Sequence, residues 1–166
     1  MNVFLDTSIV NYSLALTEQR PGNLTWQKHI KYLKLILDGP VTTGDMTLYI
    51  NPSVINQIND TVDEKLKAEL LAKCREYRYE EFNLSIFPLH FPVTFISDEQ
   101  AAFIEQICKE HPGLTRDQKI IADAVFNDNI DVLLTTDRKL ARQVHRVGKV
   151  KIMLPEDLWH LYQNIN

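Results

Sequence analysis

Glycine is scarce: five in 166 residues. Neither a Walker loop nor a Gly-x-Gly-x-x-Gly fingerprint can be found, so nothing in the chain argues for a nucleotide cofactor cradled on backbone amides. Only two cysteines occur, Cys74 and Cys108, in helical-looking stretches and without Cys-x-x-Cys spacing. A zinc site and a disulfide framework are both unsupported, and buried small hydrophobes are the reading for each. No apolar run approaches the ~18 residues of a membrane span. The chain runs straight into a strand, with no basic n-region or secretory apolar region ahead of it, and a cytoplasmic protein is expected. Internal repeats, low-complexity tracts and linkers are also missing. The five histidines, His29, His90, His111, His145 and His160, show no ligand spacing.

What is present fits one domain, residues 1–166, with a substantial core: 45% apolar and 24% charged residues. The net charge of −4 does not mark a polyanion binder, but its distribution is uneven. Between Arg138 and Lys151 stand Arg138, Lys139, Arg142, His145, Arg146, Lys149 and Lys151 with no acidic residue. Such a stripe suits a phosphodiester backbone; it is also what a solvated helix face looks like.

Apolar periodicity divides the chain into alternating strands and helices. Strands are expected over residues 2–6, 48–50, 131–135 and 150–154, with a further extended segment at 93–96 and irregular chain over 80–92. A helix over 25–37 places Trp26, Ile30, Leu33 and Leu37 on one face, and Asp38-Gly39-Pro40 stops it. Asn51-Pro52 opens another, with proline where its missing N–H costs little. A more polar helix over 63–79 carries Leu66, Leu70 and Cys74. Ser97-x-x-Gln100 and Thr115-x-x-Gln118 are capping boxes. The first leads into a helix with Ala101, Ile104 and Cys108, the second into one with Ile120, Ile121, Ala124 and Val125. A helix over 137–147 and a last one from Pro155, with Leu158 and Leu161 inward, complete the set. This alternation predicts a three-layer α/β/α sandwich around a parallel sheet of four to five strands.

Two strands end on a carboxylate. Val3-Phe4-Leu5-Asp6-Thr7-Ser8 opens the chain, and Val132-Leu133-Leu134-Thr135-Thr136-Asp137 repeats the pattern of apolar run, hydroxyls and acid. Strand carboxyl ends of an open α/β sheet converge on one crevice. Asp117, at the start of a helix, can bring a third carboxylate there. Each has a plainer reading: Asp6 as a turn or cap residue, Asp117 as an acid favoured by the helix dipole, Asp137 as an N-cap. Their meeting at neighbouring strand and helix ends is what the plainer readings leave unexplained. Carboxylates so gathered repel one another unless a cation binds among them.

With these motifs the sequence resembles the PIN domain, the nuclease family that includes the VapC-like toxins of many bacterial toxin–antitoxin pairs. The resemblance runs over nearly the whole chain. It rests on the opening Val3–Ser8 stretch, on Asp117-Gln118-Lys119-Ile120-Ile121-Ala122-Asp123-Ala124, on Leu133-Leu134-Thr135-Thr136-Asp137, and on Val150–Leu158. It implies Mg²⁺ or Mn²⁺ held by Asp6, Asp117 and Asp137, and hydrolysis of RNA to 5′-phosphate and 3′-hydroxyl ends. The basic stripe would then supply the RNA contacts Arg138, Lys139, Arg142 and Arg146, and the resemblance further implies an antitoxin protein as partner and a homodimer. Thr7 and Thr136, with Ser8 and Thr135, would orient ligands or bind phosphate; local backbone hydrogen bonding is their plainer role.

One departure stands out. The family's further acid, a glutamate on the helix after the second strand, is Gln57 here. An amide offers a carbonyl oxygen or orients a water, yet adds no charge for a hard cation. Asp60 is the nearest acid along that helix, and Asp123 lies roughly 240° around its own helix from Asp117. Gln57 therefore keeps open a second reading, a PIN-fold module that binds RNA or protein without cleaving. A phosphotransferase of the haloacid-dehalogenase type would need an aspartate two residues after Asp6, where Ser8 stands.

Overall fold

The computed structural model describes residues 1–16, 23–79, 98–110, 118–127, 129–144 and 146–165. The expected strand at 93–96, the irregular 80–92 stretch, the cap residues Ser97 and Thr115, and Asp117 lie outside them.

Among the described residues six strands form one sheet: β1 Asn2–Leu5, β2 Thr47–Ile50, β3 Arg78–Tyr79, β4 Val132–Leu134, β5 Arg146–Val147 and β6 Val150–Met153. Their order is β3-β2-β1-β4-β6-β5. The first five are parallel, and only β5 runs antiparallel, on β6. Side chains along a strand alternate between faces. Val3, Phe4 and Leu5 on β1 and Leu133 and Leu134 on β4 are nonetheless all wholly buried, so helices cover both faces of the central strands. The result is the α/β/α sandwich that the alternation predicts.

Eight helices occur among the described residues: α1 Thr7–Ala15, α2 Leu24–Ile36, α3 Pro52–Asn59, α4 Glu64–Cys74, α5 Asp98–Glu110, α6 Gln118–Phe126, α7 Arg138–Gln143 and α8 Pro155–Ile165. The sequence periodicity gives no sign of α1. Its residues, Thr7-Ser8-Ile9-Val10-Asn11-Tyr12, are weak helix formers. Burial of Ile9, Val10 and Ser13 against the sheet and α4 sustains the helix instead.

Helix α2 starts where Asn23 accepts a hydrogen bond from the Trp26 amide at 2.9 Å. Its buried face is His29, Leu33 and Ile36, while Trp26, Ile30 and Leu37 are half-buried. A polar residue at position 29 concealed that rotation from a hydrophobicity pattern. The helix also does not stop at Asp38. Pro40 lacks the N–H that would continue the ladder, and the chain widens into a π turn over Leu37–Val41. The Thr42 hydroxyl closes on the Leu37 carbonyl at 2.8 Å.

Two other helices are shorter than expected. Helix α4 is capped by Asp63, which accepts from the Lys65 and Leu66 amides at 3.0 Å, and ends at Cys74. Residues 78–79 then join the sheet, as suits the aromatic, β-favouring Tyr77 and Tyr79. Helix α7 ends at Gln143 because the valines at 144, 147 and 150 favour extended chain. Gly148, at φ +57°, makes the two-residue turn between β5 and β6. In α5, Ile107 is buried, Phe103 and Ile104 half-buried and Ala101 exposed, and Phe103 meets Phe126 of α6 edge-on at 5.5 Å. Ile120, Ile121 and Ala124 of α6 and Leu158 of α8 are buried as their spacing predicts. No described helix is long and apolar enough to cross a membrane.

A carboxylate edge as candidate functional site

Strand order reverses between β1 and β4. From β1 the chain passes to β2 on one side and later returns to β4 on the other. The carboxyl ends of such a pair border the crevice where open α/β sheets bind ligands. The β1–β4 register, Leu5 against Leu134, carries on one step: the Asp6 amide donates to the Leu134 carbonyl at 3.0 Å. Asp6 therefore sits beside Thr135. On the opposite side Phe4 pairs with Tyr49, so two residues later Asp6 lies level with Asn51.

Asp6 is the N-cap of α1, yet its side chain makes no capping bond. Its Oδ2 instead accepts from the Ser8 hydroxyl at 2.6 Å and the Thr135 hydroxyl at 2.7 Å, with the residue 6% exposed. Both hydroxyls work twice. The Thr135 oxygen accepts from the Asp137 amide at 3.0 Å, and the Ser8 oxygen from the Thr136 amide at 3.1 Å. Two hydroxyl bridges thus lock the turn after β1 to the turn after β4. Thr135 is fully buried, so its bonds face no competition from water.

Asp137 is exposed and caps α7: its Oδ1 accepts from the Lys139 amide at 2.7 Å and the Leu140 amide at 3.1 Å. The N-cap role holds, and it commits one carboxylate oxygen. Among the described residues, no hydrogen bond reaches Asp137 Oδ2 or Asp6 Oδ1. No group of three or more His, Cys, Asp or Glu is placed to hold a metal ion among them either.

Helix α3 brings Gln57 to the same edge. The Thr7 hydroxyl donates to Gln57 Oε1 at 2.5 Å. The start of α3 is fixed from two directions. Asn51, wholly buried, caps the helix by accepting from the Val54 amide at 3.0 Å. Asn51 Nδ2 and the Ser53 hydroxyl both donate to Asp123 Oδ2 on α6. Sequence spacing sets Asp123, on α6, apart from Asp117, and gives no sign that its partner is the first turn of α3. Asn51-Pro52-Ser53 at a strand end was the one available hint. Asp60 is exposed and caps the far end of α3.

The rim is completed by α1 and α7. Burial pushes the pKa of the Tyr12 phenol up, and the Thr136 side chain beside it acts the other way. Tyr12 packs on Trp26 at 5.6 Å and on His29 at 5.9 Å. Arg138, Lys139 and Arg142 lie exposed on α7, which begins at Asp137, with Arg138 and Arg142 one turn apart. Arg146, Lys149 and Lys151 are exposed on the β5–β6 hairpin, where Arg146 Nε donates to the Gly148 carbonyl at 2.9 Å. His145 lies outside the described residues.

The mostly parallel sheet covered by helices makes a PIN-like α/β/α fold. No protein-family model matches the sequence, and no curated protein does. Among solved structures, the chain is similar to VapBC2 from Rickettsia felis bound to a DNA fragment from its promoter. The two share 15% sequence identity over 93% of this chain and 98% of that one, with a TM-score of 0.53. That likeness is one of fold.

Proposed function

We propose that this protein is a metal-dependent endoribonuclease of the PIN type, with Asp6, Asp117 and Asp137 as its metal ligands and catalytic groups. The observation that carries this reading is the pair of hydroxyl bridges at the strand-order reversal. They orient Asp6 and hold it to the turn that bears Asp137, each carboxylate keeping one oxygen uncommitted among the described residues. Such hard oxygen donors suit Mg²⁺ or Mn²⁺, with Gln57 and the hydroxyls of Thr7 and Thr136 positioned to orient water. Asp60, exposed at the far end of α3, is the weaker candidate.

A bound divalent cation would lower the pKa of its water and stabilise charge on the phosphorane and the leaving 3′ oxygen. The chain's own groups do the rest. Asp6, fixed by Ser8 and Thr135, presents its free oxygen without rearrangement. Arg138, Lys139, Arg142 and Arg146 bind the RNA backbone along α7 and the adjoining hairpin. Water as nucleophile leaves a 5′-phosphate and a 3′-hydroxyl. The fold likeness to a VapBC2 complex supports an antitoxin protein as the partner.

A second reading, an RNA- or protein-binding module that does not cleave, is favoured by Gln57. At the edge where the family would add a charge, Thr7 meets a neutral amide. Incubation of RNA with Mg²⁺ or Mn²⁺, beside the Asp6→Asn variant, separates the two. The nuclease reading expects 5′-phosphate products that chelator and Asp6→Asn both abolish. RNA left intact by the wild type at saturating Mn²⁺ would establish the binding module instead.

A further inference from the structure

His29 is buried among groups that leave its imidazole without a partner. It is 2% exposed, and neither ring nitrogen has a hydrogen bond among the described residues. Buried polar atoms almost always have one. Its ring instead meets the edge of Tyr12, at 5.9 Å and 73°. The Tyr12 phenol in turn lies beside the Thr136 side chain, and Thr136 has its amide held by Ser8 and Thr135 and Asp137 as its neighbours. His29 thus stands directly behind the wall of the carboxylate edge.

The charged and titratable groups facing it come from four helices: Tyr12 of α1, Lys28 of α2, Arg138 of α7, and Glu156 and Asp157 of α8. Lys28 and Glu156 are themselves paired at 2.6 Å. Two cations oppose two anions, and none bonds the ring. Burial, then Arg138, hold the imidazole below its ordinary value of 6.5, with Lys28 acting the same way and Glu156 and Asp157 against it. A proton arriving here creates a buried cation with two N–H donors and no acceptor. It is relieved when the ring moves to reach an acceptor or water, at the expense of its fixed contact with Tyr12.

We propose that His29 is a positioning residue for the carboxylate edge: the neutral ring seats Tyr12 against Thr136 and the Thr135–Asp137 turn, and the protonated ring unseats it. Its effect on cleavage rests on the nuclease reading; the seating of Tyr12 does not. The sign follows from the depressed folded-state pKa. Between 6.5 and that lower value the unfolded chain binds a proton that the folded chain does not. Acid therefore destabilises the fold progressively below pH 6.5, until the folded ring titrates too.

Trp26, packed on Tyr12, is a built-in reporter. In a Trp159→Phe background it is the remaining tryptophan of two. Its fluorescence should show a transition below pH 6.5 that His29→Phe, a ring of similar shape that cannot titrate, removes. An unchanged transition in His29→Phe, or none in either protein, overturns the proposal. If His29→Phe does not fold, an NMR titration of the His29 ring in the wild-type protein replaces it, and a ring that titrates at 6.5 or above overturns the proposal equally. In the cleavage assay, kcat rather than KM should fall over the same range. Tyr12→Phe, which keeps the ring contact but removes the phenol oxygen beside Thr136, should retain the fluorescence transition and lose that acid limb. A limb unaltered in Tyr12→Phe overturns the positioning role. A fluorescence transition as expected, with no RNA cut by the wild type at any pH, supports the seat and rejects the nuclease reading.

Discussion

Replacing Asp123 by alanine tests how the first turn of α3, and with it Gln57, is held at the carboxylate edge. Asp123 Oδ2 accepts from Asn51 Nδ2 and from the Ser53 hydroxyl. Hydrogen bonds to an ionised acceptor contribute about 1.5–3 kcal/mol each. Asp123 is half-buried, which favours the lower end. Asn51 is wholly buried, so its orphaned amide cannot turn to water, and that keeps the loss substantial. Together the loss should be about 3 kcal/mol. For a chain of this size that corresponds to a fall in Tm of roughly 6–12 °C. Thermal unfolding followed by circular dichroism measures it, and a cycle with Ser53→Ala isolates the shared bond. Ser53→Ala should cost much less once Asp123 is gone, a coupling of about 1 kcal/mol or more. A Tm within 2 °C of wild type, which is about 1 kcal/mol or less, would refute the reasoning. So would additivity of the two substitutions to within about 0.5 kcal/mol, since the Ser53 hydroxyl and Asp123 would then not be coupled.

Two further outcomes are expected. Gln57→Glu keeps the acceptor for the Thr7 hydroxyl and adds a charge, so Mn²⁺ affinity measured by calorimetry should rise, with cleavage detectable at lower metal concentration; unchanged affinity would mean that position 57 does not face the cation. Neutralising Arg138 and Arg142 together should weaken RNA binding and lower the slope of log affinity against log salt by up to about 2, and an unchanged slope would return the stripe to a solvated face.

The fold was legible where burial is continuous and the site where hydroxyls sit beside acids. The apolar runs ending at Asp6 and Asp137 marked the two central strands and their carboxyl ends, since a strand covered on both faces has no polar positions to blur it. Helix α1 was not legible, because tertiary burial and not propensity sustains it. The inward face of α2 was misplaced for a related reason: a histidine occupies a core position. Strands β3 and β5 have two residues each, too few to show a period, and were absorbed into the helices before them. The tie from Asp123 to Asn51 and Ser53 joins residues about seventy positions apart, and nothing local announces it. Gln57 was visible as a departure, but its contact with Thr7 needed coordinates.

The hairpin that closes the sheet has a bearing on solubility. A parallel sheet ending on β6 would offer a four-residue edge, Val150–Met153, as a template for strands of other molecules. Strand β5 occupies that edge and replaces it with a two-residue one, flanked by exposed Arg146, Lys149 and Lys151. These cations repel a second copy of the same edge. Stripping charge from the hairpin would therefore lower the barrier to edge-to-edge association, and a loss of RNA binding in such variants would be confounded with clumping. Arg138 and Arg142 lie on a helix and carry no such second duty, which makes them the safer places to remove charge when nucleic-acid contact is the question.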